Sequence, residues 1–534
     1  HGIDSVHIIL EAKRDELGAD ISTETLKQIA DYQCSVWAAQ PTRVFVPIFL
    51  LCGAALTLVV FTRGRWYRVY IGRICHTNTG VLAPVIESVR TTMTRLHFLL
   101  SLSPEQFGHF CSIFAVPNQI RFARRSANAV DATVTVSAEP DVATATVSTE
   151  PDAYTVKLVE HMVRAVHPRH RLAHVYDAEY NGRAVILKLS WTPISATPES
   201  AIYELLGKAG VTAIPVVHTC GLLARDCFGY RLEYLVLEHC GQPIDKYVEP
   251  RLNDRPPDPT LNKVKNIVRS VVRCLAKARV KGGILHRDIS LGNVMVGAND
   301  TVKVIDWGYG KVLNVAGLSS DILDHRKAVA DKWGYKDCSA LTTGIEVHNP
   351  LTGTPLYMGI SVLSGANVRG IVDDIESLFY VVLHALSLRD NRKGTVVRGF
   401  VYHDNANLAM VRTGCLACES RFLQFFGVGE ISTSLRNLLY ALRKFLFVKD
   451  GEYIAPHLII DAETQRGIDF ELLHDYIDKD TLELLQASES PVHSPASSPG
   501  SGTGSVADAM GVLHVSDNVE STDNEPSKKR KLGE

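Results

Sequence analysis

The stretch "ILHRDISLGNVMV", residues 284–296, decides how the rest of the chain is read. His286, Arg287 and Asp288 follow an apolar pair, Asn293 stands five residues beyond Asp288, and "VMV" resumes an apolar run. Apolar flanks of strand length anchor such a segment, so its polar residues are presented together from one short loop.

Outward from this loop, the polar residues come in an order that suits phosphoryl transfer. That chemistry needs positioned phosphates, a divalent metal to neutralise charge, and a carboxylate to orient the attacking hydroxyl. Asp288 is the candidate for the hydroxyl, and Asn293 can serve a metal from the same loop. Thirteen residues on, "VKVIDWGYG" places Asp306 after an apolar strand and before Trp307 and Gly308. Its carboxylate offers hard oxygens to a hard cation. Upstream, Lys188 lies in "RAVILKLSW", where an ammonium can reach phosphates. "PESAIYELL" supplies Glu199 as its helix partner, with Ile202 and Leu206 at helical spacing toward the core, while Glu204 fits that phase less well. Downstream, "TGTPLYMGISVL" brings Thr354 toward Asp288, and "VDDIESLFYVVLHAL" gives a buried helix whose Asp374 can bond the loop backbone.

Over residues 153–486 these motifs resemble the eukaryotic protein kinase superfamily. Within it, "HRDIS", "GTPLYM" and "DDIESLFYVVL" are most similar to the fungal-specific protein kinase family, and "DDIES" also resembles casein kinase one. The segment "AAQPTRVFVPIFLLCGAALTLVVFTRGR" is similar to what precedes the kinase core in the fungal family. The resemblance implies an α+β, two-lobed kinase-like fold preceded by a small α/β domain, ATP with Mg²⁺, and a protein substrate phosphorylated on Ser or Thr. It implies a catalytic set of Asp288, Arg287, His286 and Thr354. Lys188, Glu199, Asn293 and Asp306 would bind the nucleotide, with Asn293 and Asp306 as metal ligands. Arg287 would lie beneath the activation segment and receive a phosphate added there.

Departures from the family pattern keep two other readings open, a catalytically weak or inactive pseudokinase that acts as a binding scaffold and a small-molecule phosphotransferase. No GxGxxG precedes Lys188; "LAHVYDAEYNGRAVILK" offers only Gly182, and close backbone approach to phosphates needs glycine. Ser290 replaces a lysine that would steady the γ-phosphate, a loss of about 10²-fold in rate by analogy with other electrostatic stabilisers. Trp307 replaces a phenylalanine. "GIS" at 359–361 stands where Ala-Pro-Glu would anchor the activation segment, and the segment from Gly308 to Gly353 is long enough to hold an insertion.

Composition sets the remaining bounds. The 534 residues carry 56 basic and 58 acidic side chains, so no whole-protein field draws nucleic acid or an anionic membrane. Eleven scattered cysteines read as reduced intracellular thiols, and the one CxxC, Cys415 with Cys418, reads as ordinary buried thiols. The uncharged run Val44 to Phe61 reaches membrane length, but Pro47 and the "CG" at Cys52–Gly53 divide it into two strands of a buried unit.

The domain map expected from these patterns runs 1–125 for the N-terminal α/β domain, 126–152 for a low-complexity linker, 153–240 for the sheet-rich lobe, 241–486 for the helical lobe, and 487–534 for a disordered tail. "DSVHIILEAK" in the first domain is also similar to restriction-endonuclease-like nucleases through Asp4, Glu11 and Lys13, beside the preferred reading of a structural domain. The tail holds Ser-Pro pairs at Ser490, Ser494 and Ser498, which suit proline-directed phosphorylation. It then ends in Lys528, Lys529, Arg530 and Lys531, a run that suits a nuclear import receptor and nuclear as well as cytoplasmic residence.

Overall fold

The computed structural model describes residues 9–13, 23–40, 43–52, 55–62, 66–73, 82–100, 119–123, 153–164, 173–227, 229–248, 260–313, 318–335, 352–365, 369–390, 397–401, 404–449, 452–453, 473 and 475–488. Asp4, the 126–152 stretch and the basic run at 528–531 lie outside the described residues.

The first sheet has the order β1-β2-β3-β4. It comprises β1 (Ile9–Lys13), then after α1 (Thr23–Ala39) the strands β2 (Phe45–Cys52), β3 (Ala55–Thr62) and β4 (Trp66–Arg73), followed by α2 (Leu82–Leu100). Strand alternation explains the unbroken apolar run, because both faces are covered. Val46, Ile48, Val59 and Phe61 pack with Ile29, Val36 and Trp37 of α1, whereas Phe49, Leu56 and Ile71 pack with Leu96 and Leu99 of α2. Among the described residues the parallel pairing of β2 with β1 starts at Ile48, one residue past Pro47, which places the proline at the end of that ladder. Among the described residues no helix is long and apolar enough to cross a membrane. Glu11 of the nuclease-like motif accepts a bond from Gln28 at 3.2 Å. No group of three or more His, Cys, Asp or Glu converges to hold a metal among the described residues.

A second sheet, ordered β5-β6-β7-β8-β10-β9, carries the residues of interest. Its strands are β5 (Gln119–Ala123), β6 (Ala153–Arg164), β7 (Ala173–Tyr180) and β8 (Arg183–Pro193), then, after α3 (Glu199–Lys208), β9 (Val217–Cys227) and β10 (Tyr230–Glu238). The expected boundary at 125 needs correcting here. β5 falls before it, yet pairs antiparallel with β6 from Gln119↔Lys157 to Ala123↔Ala153, so it belongs with this sheet. β7 and β8 are joined by Asn181 and Gly182, with φ of 52° and 72°, the two-residue turn whose twist matches a hairpin. Gly182 is therefore used in a tight turn.

The remainder is mostly helical. Short β11 (Gln242–Pro243) and α4 (Ile244–Val248) lead to α5 (Thr260–Gly282), whose Val264, Ile267, Val268, Val271, Val272 and Leu275 are all buried on the stripe the sequence spacing requires. Then come β12 (Ile284–Leu285), β13 (Val294–Val296), β14 (Val302–Val304) and β15 (Lys311–Val312), followed by α6 (Ser320–Trp333). α7 (Ile360–Leu363), α8 (Ile371–Asp390), α9 (Asn405–Ala417), α10 (Phe422–Phe425), α11 (Thr433–Phe447), β16 (Val448–Lys449), β17 (Glu452–Tyr453) and α12 (Lys479–Ser488) complete the described elements. α12 continues through Ser488, past the expected start of the tail at 487. One core cluster runs from the inner face of β10 through α3 and α5 to α8 and α11, and fixes sheet and helices around the loop at 284–296.

Candidate active site

Lys188 is a central residue of β8, opposite Val175 of β7 and Leu235 of β10. Its neighbours Leu187 and Leu189 point into the opposite, apolar face, so alternation turns the lysine toward α3. There Nζ meets Glu199 Oε2 at 2.7 Å and Asp306 Oδ1 at 2.6 Å. Burial works against all these charges. The attraction of Asp306 and then Glu199 nevertheless holds the lysine well above the usual range, so it stays charged, while burial pushes the Glu199 carboxyl up to about 7 against the pull of the lysine. Glu204, the alternative partner, lies elsewhere on α3, where it accepts from Lys332 at 2.8 Å and Trp333 at 3.1 Å.

Asp306 follows β14 at φ 59° and ψ 61°, a left-handed conformation that Asp tolerates better than most residues. The turn Trp307–Tyr309 follows at once, and Trp307, fully buried, donates from Nε1 to the Val304 carbonyl. An indole fits here because the core is deep enough for the ring and supplies its hydrogen-bond partner.

Asp288 and Asn293 face each other across the 284–296 loop. The Asn293 amide donates to the Asp288 carbonyl at 2.8 Å and to its Oδ2 at 3.3 Å. Thr354 donates to Asp288 Oδ1 from both its backbone nitrogen, at 2.7 Å, and its hydroxyl, at 2.8 Å. Burial first, and the nearby Asp306 charge second, push the Asp288 carboxyl up to about 7, against the pull of these bonds. Two carboxylates that repel one another, with the Asn293 carboxamide beside them, make a donor set that fits a divalent cation. Because the Asn293 nitrogen is engaged by Asp288, its oxygen is the atom a metal would take.

Behind the loop, Asp374 on α8 accepts from the backbone of His286 and of Arg287, each at 2.9 Å. His286 is fully buried. Its Nδ1 accepts from the Asp288 backbone at 3.2 Å and its Nε2 faces the Ile305 carbonyl at 3.0 Å, which assigns the proton to Nε2. Burial lowers its pKa to about 4, so it stays neutral. This corrects the expectation for His286: it joins the two acidic loops from behind and presents nothing to a substrate. Arg287, at φ 71°, turns the chain so that its carbonyl approaches Gly353. A Cβ at Gly353 would lie 2.6 Å from that oxygen, and its φ of 111° already excludes most side chains. The guanidinium of Arg369 also reaches this corner, donating to the Thr352 carbonyl at 2.8 Å.

Two residues that motif reading leaves out anchor the segment 354–360. Glu376, the glutamate of "DDIES", accepts from the backbone of Ile360 at 2.8 Å and from Tyr380 at 2.9 Å. Arg412 of α9, fully buried, donates to the carbonyls of Met358 at 2.9 Å, Gly399 at 3.3 Å and Leu356, and lies over the Tyr380 ring. Together they replace the glutamate missing from "GIS". A Cβ at residue 359 would fall 2.9 Å from Glu376 Oε2, which explains the glycine there. A buried arginine on an otherwise apolar helix face was the available signal, since it has to be bonded to something. Cys415 is buried within α9 and Cys418 is half-buried at its end.

The family model described as "Fungal protein kinase" matches residues 1–221 and 266–386. Among curated proteins, the chain is similar to serine/threonine-protein kinase SSK22 of Saccharomyces cerevisiae, 30% identical over 105 residues, which is 19% of this chain and 7% of that protein. It is similar to MAP kinase kinase kinase SSK2 of the same yeast, 26% identical over 117 residues, 20% of this chain and 7% of that one. It also matches cyclin-dependent kinase-like 5 of Mus musculus, 25% identical over 146 residues, 27% of this chain and 13% of that protein. The chain thus spans a small fraction of the length of each relative.

Replacing Arg412 by methionine keeps the bulk and removes the donors from three buried carbonyls. The expected loss is about 2–4 kcal/mol of unfolding free energy, with faster proteolysis between residues 352 and 363. Urea unfolding within about 0.5 kcal/mol of wild type would contradict the anchoring role.

Proposed function

The chain belongs to the fungal protein kinase family, and from that premise we propose that it is a two-lobed, ATP-dependent kinase that phosphorylates Ser or Thr hydroxyls of a protein acceptor. The observation that carries this reading is the Lys188 ammonium, 2.7 Å from Glu199 and 2.6 Å from Asp306, beside an Asp288 that the acceptor-side Thr354 holds in place.

Each residue then has a task. Lys188, fixed by Glu199, binds the nucleotide phosphates and orients them for in-line transfer. Asp306 and Asn293 would hold a divalent ion, Mg²⁺ in this proposal, whose positive charge neutralises the phosphates as charge shifts to the leaving oxygen. Asp288 receives the acceptor's hydroxyl proton as the new O–P bond forms and the bond from the γ-phosphorus to the β–γ bridging oxygen breaks, releasing ADP. Both Thr354 bonds fall on Oδ1, whereas Oδ2 takes the longer Asn293 contact at 3.3 Å and keeps acceptor capacity to spare, so Oδ2 is the oxygen that serves the acceptor. Arg287 would receive a phosphate added to the adjoining segment.

A protein acceptor is favoured over a small molecule because Glu376 and Arg412 hold 354–360 as a fixed rim next to Asp288. The scaffold reading draws on Gly182, which sits in the Asn181–Gly182 turn and so supplies no flexible phosphate flap. The basic run at Lys528, Lys529, Arg530 and Lys531 we assign to a nuclear import receptor.

Purified chain with labelled ATP, Mg²⁺ and dephosphorylated casein should incorporate phosphate, and Asp288→Asn or Lys188→Met should lower the rate by at least about 10³-fold. Equal incorporation by the Asp288 variant would sink the proposal. A fluorescent fusion should accumulate in nuclei and lose that bias when the four basic residues become alanine. A wild-type fusion excluded from nuclei would dispose of the import signal.

A further inference from the structure

Lys188 and Glu199 meet only while α3 sits at one height against the sheet, and α3 does not cap itself there. Its N-cap is Pro198, whose side chain makes no cap bond. The acceptor for the first turn comes instead from β10. Glu233, fully buried, accepts from the Glu199 backbone at 3.1 Å and the Ser200 hydroxyl at 2.9 Å. It also accepts from Thr192 at 3.3 Å and Ser190 at 3.4 Å on β8, the strand of Lys188. A carboxylate at a helix N-terminus satisfies orphan donors and opposes the positive end of the dipole.

Arg231, two residues earlier on the same face of β10, is also buried. Its guanidinium donates to the carbonyls of Ile194 and of Ala196, the latter at 3.0 Å, in the turn that leads into α3. It reaches the carbonyl of Trp333 as well, at 3.0 Å, at the C-terminal end of α6. α6 lies within the long segment between Gly308 and Gly353 and packs along α3. Lys208 pairs with Asp321 at 2.8 Å at one end of this contact, and Glu204 holds Lys332 and Trp333 at the other. Ion pairs this exposed contribute little. The hold comes from Val329, Ala330 and Trp333, all buried against the core. Arg326, fully buried on α6, donates to the carbonyls of Leu313 at 2.9 Å and of Gly282 and Gly283, next to the strand that leads into His286.

We infer that Glu233 and Arg231 are positioning residues and α6 a brace, which together keep α3 seated so that Glu199 stays on Lys188 without a partner chain. The catalytic consequence rests on the proposed phosphotransfer, but the seating of α3 does not. A kinase helix held in this way has its ion pair assembled before any regulator arrives.

The test uses the full chain and Glu233→Gln, which keeps the shape but turns an acceptor oxygen into a donor amide facing other donors. Amide exchange across Glu199–Lys208 should quicken at least tenfold. With casein as acceptor, kcat should fall at least tenfold while KM for casein stays within twofold, because Asp288 and the 354–360 rim are untouched. Loss of folded protein alone would also lower apparent kcat at constant KM, so kcat is expressed per mole of folded protein measured on the same sample, and the quickened exchange must be confined to Glu199–Lys208. Should that variant not fold, Trp333→Phe with Lys332→Met removes both bonds to Glu204 while keeping an aromatic ring in place, and should shift exchange and kcat about threefold in the same directions. A folded variant with wild-type exchange and kcat overturns the inference, as does a rise in casein KM at constant kcat. If wild type transfers no phosphate, the phosphotransfer reading fails, while exchange in α3 still decides the brace.

Discussion

The ammonium of Lys188, buried between Glu199 and Asp306, is the constraint on which the arrangement depends. Removing a cation from water costs several kcal/mol unless opposite charges meet it with good geometry. Here one carboxylate comes from a helix and the other from the loop after β14, so sheet, helix and loop must agree in position to within a few tenths of an ångström. The left-handed backbone at Asp306, the seating of α3 and the buried Trp307 all serve that agreement. Losing either carboxylate would weaken the lysine's hold, and losing the lysine would leave two carboxylates facing each other.

The same use of buried charge recurs at longer range. Glu233, Asp374 and Glu376 accept from backbone N–H groups, while Arg231, Arg326 and Arg412 donate to backbone carbonyls. They fasten loops and helix ends, where no ladder of regular structure satisfies the main chain. Bonds to charged groups are each worth about 1.5–3 kcal/mol, enough for a few of them to set which loop conformation persists. Catalytic loops that must be both irregular and rigid are where such fasteners are needed.

Much of this was legible in the sequence because spacing and periodicity act locally. The α5 stripe, the divided run from Val44 to Phe61, and the order of Lys188, Glu199, Asp288, Asn293, Asp306, Thr354 and Asp374 can be read from short windows, and in the structure those polar residues converge. What could not be read depends on contacts distant in sequence. Nothing near Glu376 says that it reaches Ile360, and nothing near Glu233 says that it caps a helix 34 residues away. β5 joins its sheet across a low-complexity stretch that composition treats as a boundary. His286 was misassigned because its motif gives its neighbours but not its burial, and only burial shows that its ring is used up in holding the backbone.

Nucleotide binding is the most direct readout of the Lys188 cluster, which is placed to receive phosphates. Calorimetric titration of a non-hydrolysable ATP analogue with Mg²⁺ into the intact chain should give a saturable heat with Kd below about 1 mM, or about −4 kcal/mol. Lys188→Met should abolish that heat. No heat at millimolar nucleotide, or equal heat from the Lys188 variant, would contradict the account and leave a kinase-family chain that acts as a scaffold.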